Sequence, residues 1–365
     1  MSVRVCQCSK FRKMKYKIAV LVATYGEVEQ LSLRSLYPSS WRILQLITSR
    51  IANLPLPLKA FIALMRSLRR KREWKELGYR PKLAQINRAQ TQALAKRLDT
   101  IKQLSGRNVE FVVRDAYYFI EPYYEDVLNE VKASCHAVIV VPMIPIESEF
   151  ACGVGCALAL EHFGNDIFEQ VRVIKHLWNN EEFIRLCVNR IFEKYEPRQG
   201  HKVGLALVAH GTLVKDTKGE ELKLNTGYKE TLTFYERLKT AIEHDARNRF
   251  ASVKLGAMNH KFGGTWMPQT LERALEEFQT EGIEEVVIFP FGFLADNSEA
   301  DLEAVMQVRA AGYPMQYIPC LNDSPGFMDW LAKRVTLSAE HLLKLQTSAL
   351  VQMPFQLEMA TSPSS

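Results

Sequence analysis

Two short apolar runs in this chain end in the same way, with a polar ring residue followed by glycine. Residues 17–26 read KIAVLVATYG, and residues 202–211 read KVGLALVAHG. Unbroken runs of Val, Ile, Leu and Ala are typical of strands buried on both faces, as in a parallel sheet covered by helices. We therefore predict a buried strand in each run, with Tyr25 and His210 at corresponding positions.

The rest of the pattern supports an internal repeat at an offset of 185 residues. A second pair of apolar runs, AVIVVP at 137–142 and EVVIFP at 285–290, leads into loops that contain an acidic residue. Helical spacing of apolar residues recurs between the strands, at 83–98, 270–280 and 298–311. This order predicts an α/β fold of two similar doubly wound parallel-sheet, Rossmann-like domains.

Proline, glycine and small polar residues indicate where the chain divides into domains and terminal segments. The segment YEPRQGH at 195–201 contains Pro and Gly just before the second strand run, and the chain ends in TSPSS. We expect a basic N-terminal arm at 1–15, an N-terminal α/β domain at 16–195, a C-terminal α/β domain at 196–345 and a flexible tail at 346–365.

Residues 31–75 interrupt the α/β rhythm directly after the first predicted strand, where such proteins place ligand-contacting loops. The segment contains Trp41, many leucines and isoleucines, and the basic stretch RSLRRKREWK at 66–75. It is either a helical hairpin with a solvated basic end, or an apolar lip with a basic rim. Such a lip would take an amphipathic anionic ligand or rest on a membrane surface.

The composition is that of a globular protein, with 365 residues, 47% apolar and 24% charged. The net charge of +6 is too diffuse to indicate nucleic-acid binding without a motif. Seven cysteines without regular spacing do not form a disulfide framework. No apolar run approaches the roughly 18–20 residues of a membrane span, and the first seventeen residues lack the apolar core of a secretory signal. We expect a soluble, cytoplasmic protein.

Tyr25 and His210 are the first candidates for chemistry, because ligands of open α/β sheets bind beyond the carboxyl ends of the strands. A single histidine after an apolar strand is more often structural than catalytic. The repeat pairs it with Tyr25, however, and each is followed by a glycine, which removes bulk where another group must approach the backbone.

Acidic residues follow the apolar run EVVIFP at 285–290. Ser298 and Asp301 resemble a capping box, which predicts a helix start at this point. Glu299 and Glu303 lie four apart and would share one face of that helix, where two carboxylates could bind and pass on a divalent cation or protons. The alternative is that Glu299 serves only the helix macrodipole.

Aromatic residues close to these positions are candidate pocket walls. Trp266 follows a Gly-Gly turn, and Tyr117 and Tyr118 follow the strand EFVVR in the corresponding part of the first half. Core packing is the competing interpretation of these rings. The cysteine pairs Cys152 with Cys156 and Cys6 with Cys8 have no matching second pair, so a metal or iron–sulfur site is not expected there.

Taken together, these segments resemble the ferrochelatase family, the class II type of ATP-independent tetrapyrrole chelatase. The resemblance covers about residues 16–340. It is specific in the C-terminal half and looser in the N-terminal half, where VLVATYG and residues 78–94 carry it. The C-terminal segments that carry it are VAHGTL at 208–213, GGTWMPQTLERAL at 263–275, FPFGFLADNSEADLE at 289–303 and PCLNDSPGFMDWL at 319–331.

The resemblance implies insertion of Fe²⁺ into a porphyrin, protoporphyrin IX or coproporphyrin III, in haem biosynthesis. His210 would accept pyrrole protons or meet the metal, with Glu299 as its acidic partner and Glu303 as the next step. Tyr25 would approach the metal from the opposite face. Macrocycle contacts are expected from four aromatic residues: Tyr25, Trp266, Tyr117 and Trp41.

The resemblance also bears on partners and cofactors. Fe²⁺ and porphyrin would be substrates, with no permanently bound cofactor. No iron–sulfur cluster is expected, because the C-terminal tail lacks cysteines. The basic rim would meet the porphyrin propionates, and residues 31–75 could touch a membrane peripherally. We expect no nucleic-acid partner, and a monomer or a homodimer.

Two departures from the family pattern keep other functions open. Asn297 stands where the family usually has a second histidine, and the link after His210 is longer than usual. The nearest alternative is a chelatase for another tetrapyrrole, such as sirohydrochlorin, with cobalt, nickel or iron. A non-catalytic porphyrin-binding or haem-binding protein is the second alternative, and it would not need His210 or Glu299.

Overall fold

The computed structural model describes residues 15–51, 54–260 and 263–359, with side-chain surroundings up to residue 345. The predicted basic arm lies outside these residues except for Lys15, as do Cys6 and Cys8. The described chain forms two main sheets, one in each half, with helices packed on both faces.

The first sheet has the order β2-β3-β1-β4-β5, and all its strands are parallel except the short β2. Every side chain of β1 from Ile18 to Ala23 is buried, because helices cover both faces of the strand. The strands of this half are β1 (Tyr16–Thr24), β2 (Gln103–Leu104), β3 (Arg107–Tyr117), β4 (Ala137–Pro142) and β5 (Val171–Val173).

The second sheet has the parallel order β11-β10-β6-β8. A separate ribbon pairs β7 with β9. The strands of this half are β6 (Val203–His210), β7 (Leu213–Lys215), β8 (Ser252–Met258), β9 (Thr265–Trp266), β10 (Glu285–Phe289) and β11 (Met315–Tyr317).

The two sheets share one topology. In each, the first strand of the half lies between the second and third long strands, and the fourth lies outside the third. β1 therefore corresponds to β6, and β4 corresponds to β10, as the repeat in the sequence indicates. The predicted fold class, two similar doubly wound parallel-sheet domains, is confirmed.

Helices connect the strands in both halves. In the first half they are α1 (Leu33–Ile43), α2 (Ser49–Ile51), α3 (Leu56–Glu76), α4 (Leu83–Leu98), α5 (Tyr124–Ser134), α6 (Cys152–Phe163), α7 (Ile167–Gln170) and α8 (Glu181–Lys194). In the second half they are α9 (Tyr228–Glu243), α10 (Leu271–Thr280), α11 (Ala304–Ala310) and α12 (Pro325–Met359). The described chain also has two π-helical turns, π1 (Leu44–Thr48) and π2 (Glu299–Glu303), and a 3₁₀ turn at Gly164–Asp166.

The described residues of the segment at 31–75 are mostly helical, in α1, π1, α2 and α3. α1 packs along α3, and the hydroxyl of Ser67 on α3 donates to the hydroxyl of Ser40 on α1 inside the contact. Among the described residues, no helix combines the length and the apolar character needed to cross a bilayer.

The C-terminal helix ties the two halves together. α12 packs against α4 and α8 of the first half, and one hydrophobic cluster runs through both halves. The predicted flexible tail starts inside this helix, which continues to Met359. Residues 327–353 contain neither glycine nor proline, so the sequence offers no signal to stop the helix there.

Candidate active site

A cavity of about 290 Å³ lies between the halves, beyond the carboxyl ends of β1 and β6. A space of this size is larger than a bare ion needs. The loop after β1, the end of β6, the turn π2 and one face of α3 contribute to its wall. Its ionisable lining includes Tyr25, Glu27, Arg66, Arg70, His210, His260, Glu299 and Glu303.

His210 and Glu299 form a direct pair on this wall. Nδ1 of His210 lies 2.8 and 2.9 Å from the two carboxylate oxygens of Glu299. An ionised carboxylate only accepts hydrogen bonds, so Nδ1–H donates and Nε2 keeps its lone pair. Burial lowers the pKa of His210, but the Glu299 carboxylate outweighs it, so the pKa lies above its ordinary value of 6.5.

Glu299 begins π2 rather than an α-helix, and its cap differs from the sequence prediction. Oδ1 of Asn297 accepts from the backbone N–H groups of Glu299 and Ala300 at 3.0 and 3.2 Å. Ser298 makes no capping hydrogen bond, so the predicted Ser298–Asp301 capping box is wrong. The amide of Asn297 is occupied with the turn, since its Nδ2 donates to Ala295.

Glu303 lies at the other end of π2 and is open to the cavity. Burial and the neighbouring Glu299 carboxylate raise the pKa of Glu303 to about 7, while Arg70 and Arg66 oppose the shift. The guanidinium groups of Arg66 and Arg70 belong to the basic stretch of the sequence and line the same cavity. Burial lowers the pKa of Arg66 to about 10.

Glycine allows the close approaches that the sequence suggests after the first strands. A Cβ on Gly211 would stand 2.1 Å from Oδ1 of Asn259, and one on Gly292 would stand 2.7 Å from Cα of Ala209. Gly26 has a φ of 79°, a conformation that favours glycine. The backbone around His210 is therefore packed too tightly to accept any side chain at Gly211 or Gly292.

Tyr25 lines the cavity as an aromatic wall. Its ring stacks on Phe119 with centroids 5.3 Å apart, and its hydroxyl donates to the carbonyl of Phe150 at 3.1 Å. Burial raises the pKa of the Tyr25 hydroxyl above its ordinary value. These contacts favour the uncharged phenol; contact of Tyr25 with the metal stays a prediction.

Trp266 also lines the cavity, and the longer link after His210 holds it there. That link contains β7, which pairs with β9 so that Leu213 lies opposite Trp266. The indole packs edge-on against the His210 ring, with centroids 6.3 Å apart. The departure from the family pattern in this link therefore supports the predicted wall residue.

Two residues of the cavity wall carry chemistry that sequence reasoning missed. The His260 ring lies 5.1 Å from both the His210 and the Trp266 rings, and burial lowers the pKa of His260 to about 4. Glu27 accepts from the backbone N–H of Ser298 at 3.1 Å, and burial raises its pKa. His260 lies outside every strand run that the sequence predicts. Glu27 directly follows the first run, but the repeat has Thr212 rather than an acidic residue at the corresponding position.

Trp41 and Tyr117 are not brought to the cavity with the other predicted site residues. Trp41 stacks on Tyr37 within α1, with ring centroids 6.4 Å apart. Tyr117 is buried at the end of β3, and its hydroxyl donates to Asp115 at 2.9 Å. Tyr117 follows the core-packing alternative, whereas Trp41 lies half-buried on α1.

The described part of the chain contains no cluster of metal-ligating side chains. Within residues 15–51, 54–260 and 263–359, no group of three or more His, Cys, Asp or Glu side chains is arranged to hold a metal ion. Cys152 and Cys156 are free thiols in this region.

The chain is similar to known proteins over most of its length. The family model described as ferrochelatase matches residues 17–339. A ferrochelatase of Neisseria meningitidis serogroup A is 26% identical over 249 residues, which cover 66% of this chain and 70% of the relative. A ferrochelatase of Rippkaea orientalis is 22% identical over 339 residues, which cover 89% of this chain and 83% of the relative.

The likeness to solved structures is more distant. The structure of SirB from Bacillus subtilis with Fe3+ matches 87% of this chain and 94% of its own, with 11% identity and a TM-score of 0.45.

Proposed function

The chain belongs to the ferrochelatase family, and from this premise we propose that it inserts Fe²⁺ into a porphyrin in haem biosynthesis. Family membership supports a metal chelatase. Protoporphyrin IX and coproporphyrin III are the proposed substrates, and Fe²⁺ is a substrate rather than a resident cofactor. The cytoplasmic location expected from the sequence stays a prediction.

The observation that carries this proposal is the His210–Glu299 pair on the wall of the cavity between the halves. Metal insertion removes two N–H protons from the porphyrin, so the site needs a base that works near neutrality. Nε2 of His210 can accept a pyrrole proton because Nδ1–H is held by Glu299. The same carboxylate stabilises the imidazolium that forms.

Glu303 supplies the next place for a proton. Its pKa of about 7 allows the carboxyl to gain and lose a proton at physiological pH. It lies four residues after Glu299 on the same turn, and both line the cavity. We assign Glu303 the role of passing protons from the His210–Glu299 pair towards solvent.

The porphyrin carboxylates have cationic partners in Arg66 and Arg70. Both guanidinium groups lie on the cavity face of α3, and arginine binds carboxylates through paired hydrogen bonds. The apolar part of the macrocycle would lie against Tyr25 and Trp266, whose rings form aromatic walls.

We also propose that α3 rests on an anionic membrane surface. Phe61, Leu64, Met65 and Leu68 recur at helical spacing, and each is 41–59% exposed. α3 carries seven Lys or Arg and two Glu, a net charge of +5, close to the whole chain's +6. Apolar side chains beside basic ones bind the interface of anionic bilayers.

An anaerobic assay of the purified full-length chain tests the function. Fe²⁺, Co²⁺ or Ni²⁺ is offered with protoporphyrin IX, coproporphyrin III or sirohydrochlorin, and absorbance follows the loss of the metal-free spectrum. We expect metal insertion into one or both porphyrins. Insertion into sirohydrochlorin alone would support a different tetrapyrrole chelatase. Tetrapyrrole binding with no insertion for any metal would indicate a non-catalytic binding protein.

A further inference from the structure

A second imidazole stands beside His210 on the cavity wall. The ring centroids of His210 and His260 are 5.1 Å apart, and their planes meet at 66°. Trp266 packs edge-on against both rings and closes one side of the pair. The His210–Glu299 pair described above does not involve His260.

The sheet fixes the distance between the two histidines. His210 ends β6 opposite Met258 of β8, so His260 follows two residues after the residue paired with His210. The N–H of Gly211 donates to the carbonyl of Met258 at 3.0 Å. The side chain of Asn259 donates to the carbonyl of Met267 at 2.7 Å and fixes the start of the loop.

The spacing of the rings suits one shared metal ion. With metal–nitrogen bonds of about 2.0–2.1 Å, two imidazoles at a tetrahedral angle place their ring centroids about 5 Å apart. Glu299 engages Nδ1 of His210, which leaves Nε2 as the metal-binding nitrogen, in the arrangement common at protein metal sites. The same lone pair accepts a pyrrole proton only after the ion has left it for the macrocycle. Water or the tetrapyrrole would fill the remaining positions.

We propose that His210 and His260 together bind the incoming divalent cation before it enters the macrocycle, and that His260 biases the choice of metal. Only one part of this proposal, the transfer of the cation from the two histidines into the macrocycle, rests on the proposed function. Two imidazole nitrogens favour Co²⁺, Ni²⁺ and Zn²⁺ over Fe²⁺ more than one imidazole with carboxylates does. A site with only two protein ligands also releases its ion readily.

Binding of Co²⁺ to the full chain without tetrapyrrole tests the site directly. Calorimetry and the visible absorbance of Co²⁺ report affinity and coordination. We expect His260→Asn to weaken Co²⁺ binding at least tenfold, since an amide is a poor ligand for this ion. His260→Cys should restore binding and add a thiolate-to-cobalt band. His201→Asn, at an exposed position in the linker, is the matched control and should bind as wild type.

Unchanged Co²⁺ affinity in the folded His260→Asn variant would overturn the proposal. Competition between Co²⁺ and Fe²⁺ in the insertion assay gives a second readout, and the Co²⁺ share of product should fall at least fivefold in His260→Asn. If Co²⁺ binding needs both histidines but no tetrapyrrole is metallated, the site stands and the proposed function fails. If insertion proceeds with unchanged metal preference, the function stands and the role of His260 fails.

Discussion

Glu27 accepts hydrogen bonds from both the backbone N–H and the hydroxyl of Ser298. Glu27 follows β1 in the first half, and Ser298 directly precedes Glu299 in the second. The contact therefore fixes the turn that carries Glu299 to the opposite side of the cavity. The other oxygen of Glu27 is buried without a hydrogen-bond partner among the described residues.

Removal of the Glu27 side chain should loosen this turn. Glu27→Ala leaves two donors of Ser298 without an acceptor, and we expect a loss of about 1–3 kcal/mol in the free energy of unfolding. Metal insertion should fall with it, because Glu299 loses its support. Glu27→Gln keeps an acceptor oxygen, so this variant should retain most of the stability and most of the insertion rate. Urea unfolding and the initial rate of insertion measure the two effects.

The control for Glu27 is its neighbour Glu29, which pairs with Arg88 on the surface. An exposed ion pair contributes about 0–1 kcal/mol, so Glu29→Ala should change stability little and the insertion rate not at all. Equal behaviour of Glu27→Ala and Glu29→Ala would contradict a positioning role for Glu27.

His210 should be indispensable for insertion but not for tetrapyrrole binding. His210→Ala removes the base and should abolish insertion, while fluorescence quenching still reports porphyrin binding. The raised pKa of His210 means that the imidazole is protonated at low pH and cannot accept a proton there. The rate of the wild type should therefore fall as the pH drops through this pKa.

Glu299→Gln tests the cause of that raised pKa. The amide carries no charge, so the pKa of His210 should fall and the acid limb of the pH–rate profile should move to lower pH. The maximal rate should also fall, by roughly 10²–10⁴-fold for a lost acid–base partner. Asp301→Asn, which changes a carboxylate of π2 that faces Lys82 and Tyr79, should leave the limb in place. If the acid limb of the pH–rate profile stayed in place in Glu299→Gln, the titrating group behind that limb would be one other than His210.

The sequence predicted the parts of this protein that repeat or lie at strand ends. β1 and β6, and β4 and β10, were aligned because buried parallel strands leave unbroken apolar runs. His210 was found by the same logic. The π-helical form of Glu299–Glu303 was not predicted, since a π-helical turn leaves no distinct spacing of apolar residues in a single sequence.

Residues that act through tertiary contacts escaped prediction. His260 stands in a loop with no periodic pattern, and only strand pairing brings it to His210. Glu27 contacts Ser298 across 271 positions of sequence. Asp296 accepts from Tyr317 and Asn322, so the end of β11 and the segment after it hold the loop before π2 in place. Such distant contacts are decided by packing rather than by local pattern.

Arg66 and Arg70 should determine affinity for the acidic groups of the porphyrin. A hydrogen bond to a charged group contributes about 1.5–3 kcal/mol, so loss of either arginine should raise KM for porphyrin roughly tenfold or more with little change in kcat. Arg72→Ala is the matched control, because Arg72 lies on the same helix but is exposed and pairs with Glu76. Steady-state kinetics with coproporphyrin III measure the effects on KM and on kcat separately. A fall in kcat alone would contradict the carboxylate-binding role.

The exposed apolar face of α3 should control membrane binding. Phe61→Ser combined with Leu64→Ser removes apolar side chains that are 59% and 41% exposed. Co-sedimentation with vesicles of 30% anionic lipid should fall several-fold relative to wild type, and high salt should weaken binding of both. Leu160→Ser, at a similarly exposed leucine on α6, is the control. Equal sedimentation of all three proteins would contradict the proposed membrane contact.

The pKa of Glu303 should appear in the pH dependence of stability. Burial and Glu299 raise this pKa from 4.5 to about 7 in the folded protein. When the pKa of a carboxyl is higher in the folded chain than in the unfolded chain, the group contributes its full stabilisation at a pH below its unfolded-state pKa. This contribution is lost as the pH rises through the folded-state pKa. Glu303→Gln cannot ionise. Its Tm should therefore rise relative to wild type between about pH 4.5 and 7, and the difference should then stay constant.

Thermal unfolding scans of both proteins from pH 4 to 9 measure this difference. Solvent in the cavity screens Glu303, so the change should be smaller than the full pKa shift implies. Glu276→Gln, at an exposed position of α10, is the control for loss of a negative charge, and its Tm difference from wild type should not follow the same course. A difference that is flat across the range for Glu303→Gln would mean that Glu303 titrates alike in folded and unfolded chains. That result would remove Glu303 from the proton path, because a carboxyl with an ordinary pKa is almost fully ionised at neutral pH and holds no proton to pass on.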